Sequence, residues 1–334
     1  MNIWILAKRE KFDNFENIRF MEVAESNGID LTLIAPDDCE IVTTKEGRKS
    51  LYIMGEPLKR LPDCVLPRTG SGTTYFASAV IRHFERIGAF VLNTADSIEL
   101  AKDKLATIQA LASSNVPMPK TLLGKYPLDL DVIDREFTFP VILKKIVSSM
   151  GKGVLLCQNR AQLEDVIDLV QPSSTNFIIQ ECIKKSLGKD IRVFVVGGRA
   201  IGAILRTAKQ GSFKANYSAG GSVETFELSP EIEWLAIESA RILGLDIAGV
   251  DLLFDKKGFR ICEVNSSPFF EGFEEATGIN VPEEIFQYIN VRLSSRNDEL
   301  PTPASSLALN KSEDVLSGHT HAHEEAGELQ EITT

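Results

Sequence analysis

With 334 residues, 43% hydrophobic and 25% charged, the chain has the balance of a globular protein with two or three domains, and no run approaches a membrane span. A net charge of −11 argues against a general nucleic-acid binder. Residues 297–334 hold eight acids against one lysine, −7 of that total, so the remainder is only mildly acidic.

Five cysteines (Cys39, Cys64, Cys157, Cys182 and Cys262) are scattered singly, odd in number and without a CxxC pair. That is the pattern of reduced thiols. The apolar start is followed at once by Lys8-Arg9-Glu10, which is not signal-peptide order, so the expected location is the cytoplasm. Of the four histidines only His83 lies outside the tail, expected as a surface helix residue beside Arg82 and Arg86. Mechanisms built on a histidine base would have to use that one residue.

From the N-terminus, strands over 3–7 and 31–35 bracket an amphipathic helix over 15–26, with Phe15, Ile18, Met21 and Ala24 on one stripe and Asp13 or Asn14 as its cap. A buried strand over 63–66 ends in Pro67-Arg68-Thr69-Gly70-Ser71-Gly72. A helix over 73–86 and a strand over 90–92 complete a β-α-β-β-α-β order, which implies a small open sheet flanked by helices. Ligands of such sheets sit beyond the carboxyl ends of strands, where Arg68 either holds a substrate carboxylate or caps the loop. Neither GxGxxG after the first strand nor GxxxxGK[ST] anywhere is present.

Helical pieces over 96–101 and 103–113 follow, with Lys104 opening the second. A strand over 139–145 ends in Lys144 and Lys145, and Ser148-Ser149-Met150-Gly151-Lys152-Gly153 leads to a strand over 154–157. Such a turn either wraps phosphates with backbone N–H groups or is a plain glycine hairpin. The buried strand over 177–183 turns polar at Gln180 and Glu181.

Beyond it, strands over 190–196 and 199–206 form a hairpin about Gly197-Gly198, with Arg192 and Arg206 on its arms. The loop over 207–222, containing Lys214 and Asn216, has the length and small-residue content of a lid. After a helix over 230–243 capped by Ser229, apolar runs over 250–254 and 259–264 flank Lys256-Lys257-Gly258. A three-residue loop there pairs Asp255 with Phe259, which sets Asp251 opposite Glu263 with Asn265 diagonal to Asp251. Two facing carboxylates and an amide oxygen, with no histidine nearby, suit Mg²⁺; the alternative is a solvated face with an acid on each strand. A short helical region begins at Phe269–Phe273, a helix over 282–293 closes the fold, and 297–334 has the composition of a disordered acidic tail. The tail's His319, His321 and His323 are read as incidental to it.

In order and spacing these pieces resemble the ATP-grasp ligases, most closely the RimK-like glutamate ligases, over roughly residues 60 to 290. The resemblance runs through Pro67-Arg68-Thr69-Gly70, Ala101-Lys102-Asp103-Lys104, Val141-Ile142-Leu143-Lys144 and Gln180-Glu181-Cys182-Ile183. It continues through Gly188-Lys189-Asp190-Ile191-Arg192-Val193, Phe213-Lys214-Ala215-Asn216, Gly249-Val250-Asp251 and Glu263-Val264-Asn265-Ser266-Ser267-Pro268. It implies a mixed α/β (α+β) ATP-grasp fold, with an N-terminal open-sheet pre-ATP-grasp domain over 1–95 and ATP-grasp subdomains over 96–183 and 184–294.

By the same resemblance Lys104, Lys144 and the turn residues Ser149, Gly151 and Gly153 meet ATP phosphates, joined by Lys214 and Asn216 from the lid. Gln180, Glu181, Cys182 and Ile183 line the adenine site, with a cysteine where the family commonly has an aromatic, and Asp190 takes the ribose. Asp251, Glu263 and Asn265 hold two Mg²⁺ ions, with Mn²⁺ as an alternative, while Arg192 and Arg206 grip an acyl phosphate. The implied reaction joins L-glutamate to a carboxylate acceptor, a protein C-terminus or a small acid, with no nucleic acid or membrane involved and a homo-oligomer left open. A non-enzymatic reading, ATP binding without reaction as in synapsin-like proteins, differs in one measurable respect: ATP turnover would not depend on an added acid and amine.

Overall fold

The computed structural model describes residues 1–43, 45, 50–124, 126–146, 153–170, 176–215, 217 and 220–299. Strands β1 (Asn2–Leu6), β2 (Asp30–Ile34), β6 (Cys64–Pro67) and β7 (Phe90–Val91) form a parallel sheet in the order β2-β1-β6-β7, crossed by α1 (Phe15–Ser26) and α2 (Tyr75–Arg86). Parallel strands with both faces covered should be apolar throughout, and β6 is buried at every position. A small antiparallel sheet of β3 (Cys39–Ile41), β4 (Leu51–Ile53) and β5 (Glu56–Pro57), not foreseen in the sequence, fills the crossover before β6.

Asn14 caps α1 as expected, accepting from the Asn17 N–H at 2.9 Å. The buried stripe is not the expected one: Phe20, Val23 and Ala24 face inward, while Ile18 and Met21 are exposed. Apolar residues occur around most of this helix. Phe20 wins the inward position because it packs edge-on against Phe270 and Phe286, contributed from the far end of the chain.

His83 also departs from expectation. It is buried on α2, with Nε2 3.0 Å from the Ser50 hydroxyl, which in turn accepts from Arg86 at 2.9 Å. Burial, aided by Arg86, pushes the imidazole below its usual 6.5. Unfolding therefore takes up a proton, so this contribution to stability is complete above about pH 6.5 and declines as the pH falls below it. His83→Gln, compared with the parent by urea denaturation at about pH 7.5 and 5.5, should show a smaller acid-induced loss. An unchanged loss would assign the acid sensitivity elsewhere.

Helices α3 (Ala95–Lys102) and α4 (Lys104–Ser113) meet at Asp103, whose carboxylate accepts from the Leu105 and Ala106 N–H groups at 2.9 and 3.0 Å and starts α4 at Lys104. An antiparallel sheet follows in the order β10-β9-β11-β8, from β8 (Thr121–Gly124), β9 (Val141–Lys145), β10 (Val154–Cys157) and β11 (Phe177–Glu181). Strand β8 and helices α5 (Leu130–Glu136) and α6 (Arg160–Val170) were not read from the sequence. Val141, Leu143, Phe177 and Ile179 pack with Ile133, Leu163 and Ile167 of those helices, so Ile142, Lys144, Ile178 and Gln180 alternate onto the other face.

The last sheet is antiparallel in the order β14-β13-β12-β15-β16, from β12 (Lys189–Val196), β13 (Arg199–Thr207), β14 (Ser222–Phe226), β15 (Ile247–Asp255) and β16 (Gly258–Asn265). Helix α7 (Pro230–Ile242), capped by Ser229, lays Ile232, Leu235, Ala236 and Ala240 over Ile191, Val193, Val195 and Val250. The opposite face of β12 carries Asp190 and Arg192. Helices α8 (Glu271–Thr277) and α9 (Val281–Glu299) complete the described chain.

Residues 297–299, expected in the tail, continue α9, because Arg296-Asn297-Asp298-Glu299 holds no helix breaker before Pro301. The rest of the expected tail, 300–334 with its three histidines, lies outside the described residues. Among the described residues no helix is long and apolar enough to cross a membrane.

Candidate active site

A cleft of about 910 Å³, including its open mouth, lies between the β8–β11 sheet and the β12–β16 sheet. Of the residues singled out above, it gathers Lys104, Lys144, Gln180, Glu181, Cys182, Ile183, Asp190, Arg206, Lys214, Asp251 and Glu263. Arg192 stands beside it, bonded to Asp251. Gly153, Asn265 and Arg68 do not line it, and Ser149, Gly151 and Asn216 lie outside the described residues. Ser186, Phe213, Leu253 and Cys262 line the cleft without having been anticipated.

The hairpin at its floor differs from expectation in an instructive way. Asp255 pairs with Gly258, not Phe259, so the turn has two residues, Lys256-Lys257, and Phe254 faces Phe259. Gly258 takes φ +101°, open to glycine but strained for other residues. Continued unbroken, that register would set Asp251 against Cys262. A β-bulge after Asp251 absorbs one residue, Cys262, and restores Asp251 opposite Glu263 with Asn265 opposite Gly249. The expected facing pair therefore forms, and the bulged Cys262 brings its sulfur to 3.7 Å from Lys144 Nζ. Burial pushes that thiol's pKa up, against the pull of Lys144.

Cross-strand pairing then assembles a row of alternating charges. Arg192 faces Asp251 across β12/β15, and Asp190 faces Arg206 across β12/β13. Arg192 donates Nε and Nη2 to the two Asp251 oxygens at 2.7 and 2.8 Å, and Arg206 does the same to Asp190 at 2.6 and 2.8 Å. Arg206 Nη2 also lies 2.9 Å from Asp251, which joins all four residues. Burial alone would raise the Asp251 pKa, but Arg192 and Arg206 outweigh it and hold the carboxyl below its usual range. Arg206, between two acids, is held above the ordinary guanidinium value despite its burial. No described residue pairs with Nη1 of either arginine, so each keeps donors to offer a ligand.

Three further ion pairs frame the cleft. Lys104 Nζ sits 3.1 Å from Glu263, so the first turn of α4 reaches the hairpin. Arg260 bonds Glu181 and Asp255, each at 2.7 Å, and ties the end of β11 to the tip of the hairpin. Arg68 lies apart, at the end of β6. It donates to the Pro268 carbonyl at 2.9 Å, with its guanidinium carbon 5.7 Å from the ring centres of both Phe20 and Phe270. Burial lowers its pKa to about 10.

The oxygen donors suit a hard cation. Asp251 and Glu263 occupy one rung and Asn265 the next on the same face, and the Asn265 amide donates to Gly249 O at 3.3 Å, which leaves Oδ1 as an acceptor. Two carboxylates facing each other need positive charge, and here Arg192, Arg206 and Lys104 provide it. Among the described residues no group of three or more His, Cys, Asp or Glu gathers for a metal. A set this small matches an ion that completes its shell with water and phosphate oxygens.

Known proteins agree with this architecture. Residues 1–98 match the profile of the RimK PreATP-grasp domain and residues 101–289 that of the RimK-like ATP-grasp domain. A probable alpha-L-glutamate ligase 1 from Shewanella frigidimarina is 35% identical over 300 residues, covering 90% of this chain and 98% of that protein. A probable alpha-L-glutamate ligase from Legionella pneumophila is 36% identical over 290 residues, 86% and 95% of the two chains. Among solved structures, ATP-grasp ligase PsnB in complex with a phosphomimetic variant of its minimal precursor, Mg and ADP is similar with a TM-score of 0.69 at 19% identity, over 87% of this chain and 98% of that one. D-alanine–D-alanine ligase from Bacillus anthracis with ATP gives 0.62 at 15% identity, over 89% and 99%. The chain belongs to the RimK-like ATP-grasp family and is an ATP-dependent ligase.

Proposed function

We propose that the protein forms an amide between a carboxylate acceptor and the amino group of L-glutamate, through an acyl phosphate. The observation that carries this reading is the charge row Arg192–Asp251–Arg206–Asp190, with Lys104 and Lys144 lining the same cleft. Relatives named alpha-L-glutamate ligase support glutamate as the amine. The acceptor is a protein C-terminus or a small acid; a fold relative bound to a precursor peptide keeps the first in view.

Lys104 and Lys144 bind the phosphates, joined by Gly153 and by Lys214 from the 207–222 loop. The segment Gln180–Ile183 edges the adenine, largely through its backbone because the Glu181 carboxylate is committed to Arg260. Asp190 meets the ribose. Asp251, Glu263 and Asn265 would hold two Mg²⁺ ions, with Mn²⁺ as a substitute, which would supply positive charge to offset the negative charge of the phosphates. An acceptor carboxylate oxygen attacks the γ-phosphorus and ADP leaves. The glutamate nitrogen then attacks the acyl carbon, phosphate leaves, and the nitrogen gives up a proton. Arg192 and Arg206 offer their Nη1 groups to the acyl phosphate, and Arg68 holds a substrate carboxylate at the end of β6. No step needs a histidine base, in keeping with His83 buried on α2 and absent from the cleft lining.

The test is phosphate release from ATP with glutamate and a panel of carboxylates, including acidic peptides. Release should require both the acid and glutamate. ATP binding with no acid-dependent turnover would overturn the reading and favour a nucleotide-binding regulator.

A further inference from the structure

Asn93 stands between β7 and Thr94, the residue that caps α3, and its side chain is 2% exposed. Its Nδ2 donates to the Ile247 and Ser266 carbonyls, each at 2.8 Å, while Oδ1 accepts from the N–H groups of Asp246 and Ile247 at 2.9 and 3.0 Å. A primary amide has two donors and two acceptor sites, and all four are filled. Turning the amide over would set two donors against N–H groups and an oxygen against two carbonyls, so the orientation is determined.

These contacts fall at one end of the hairpin. Ile247 opens β15, and Ser266 follows the last residue of β16. Gly249 and Asn265 form the last backbone rung. Asn93 bridges the two strands just beyond it, doing with a side chain what a further rung would do with backbone. The segment that carries Asn93 continues through α3 to Lys104, whose ammonium meets Glu263 at 3.1 Å. One stretch of chain therefore holds the donor end of the hairpin at two points, and the inner point is Asn93.

We infer that Asn93 is a positioning residue for the cation-holding oxygens. By fixing the Ser266 carbonyl to the start of β15, it sets where Asn265, the preceding residue, presents Oδ1 relative to Asp251. This rests on the proposed role of Asp251, Glu263 and Asn265. Asparagine is required in particular. Aspartate keeps the shape and the acceptors but has no donor for either carbonyl, and alanine removes all four bonds.

The experiment follows Mn²⁺ binding in the presence of ADP by electron paramagnetic resonance. The parent is compared with Asn93→Asp, Asn93→Ala and, as a control for lost stability, Thr94→Ala, which removes the cap next door without touching the rung. Both Asn93 variants should weaken Mn²⁺ by about ten-fold or more, the scale of losing a partner that orients a ligand, and leave metal-free ADP binding within about two-fold. Thr94→Ala should lower the melting temperature and leave Mn²⁺ affinity unchanged. Normal Mn²⁺ affinity in Asn93→Asp, or equal weakening in Thr94→Ala, would overturn the inference. Should neither Asn93 variant fold, hydrogen exchange on the parent decides. The Asp246 and Ile247 amides should gain protection when Mn²⁺ and ADP are added, and no gain would overturn it. A parent that binds no Mn²⁺ with ADP would bring down the cation reading itself, which is distinguishable from a parent that binds it and is indifferent to Asn93.

Discussion

Glu263→Gln should leave the fold intact and remove most ligase turnover, on the order of 10²-fold or more, the scale of losing a group that stabilises charge in the transition state. Glutamine preserves the shape of the side chain and its place opposite Asp251, while one negative charge is lost and one acceptor oxygen becomes an NH₂ donor. The folding cost is small. The lost partner is Lys104 at 3.1 Å, and Glu263 is 35% exposed, so solvent screens the pair to about 1 kcal/mol or less. The functional cost is large because the donor set has only two anionic members. Titrating Mg²⁺ at fixed ATP and acceptor should show its half-maximal concentration displaced upward, with the melting temperature little changed. Turnover near the parent rate with Mg²⁺ would remove Glu263 from the cation-holding set.

The pair Asp251 and Glu263 was legible in the sequence, but the route to it was not. Counting outward from a three-residue loop reaches the same pair that the protein reaches with a two-residue turn and a bulge at Cys262. Nothing in Ile261-Cys262-Glu263 marks a bulge, since an extra residue is accommodated by local twist and not by composition. The sulfur beside Lys144 could not have been foreseen for the same reason. Helix α7 was readable because Ser229, Pro230 and a single apolar stripe agree. Helix α1 has apolar residues on several sides, and the choice among them was made by Phe270 and Phe286, more than 200 residues away. The arginines show the same limit: spacing put Arg192 and Arg206 on the arms of a hairpin, but their acid partners come from the registers of β12 against β15 and β13, which the sequence does not display. His83 misled because an arginine-flanked histidine on a helix reads as solvated, whereas Ser50, from a distant strand edge, closes over it.

The row of charges sets the terms for testing Arg206, the site where removal should cost most. Truncation to alanine would leave Asp190 buried without its forked partner. Breaking a buried pair in this way costs about 3–5 kcal/mol, so a loss of activity in Arg206→Ala mixes folding with chemistry. Arg206→Lys separates them. The positive charge between Asp190 and Asp251 survives, but the planar fork that serves both acids and still has Nη1 to offer is lost. If Nη1 meets charge that appears only as the acyl phosphate forms, kcat should fall on the order of 10²-fold in Arg206→Lys while ATP affinity stays within a few-fold. Lys144→Ala should do the reverse and weaken ATP binding directly. Its ammonium contacts Cys262 at 3.7 Å and sits on the strand face that lines the cleft, so little folding energy depends on it. Measuring kcat and ATP affinity for both variants, with melting temperatures alongside, decides the matter. Equal, mild effects on both constants would leave Arg206 as the structural bridge between Asp190 and Asp251 and move the grip on the acyl phosphate to Arg192.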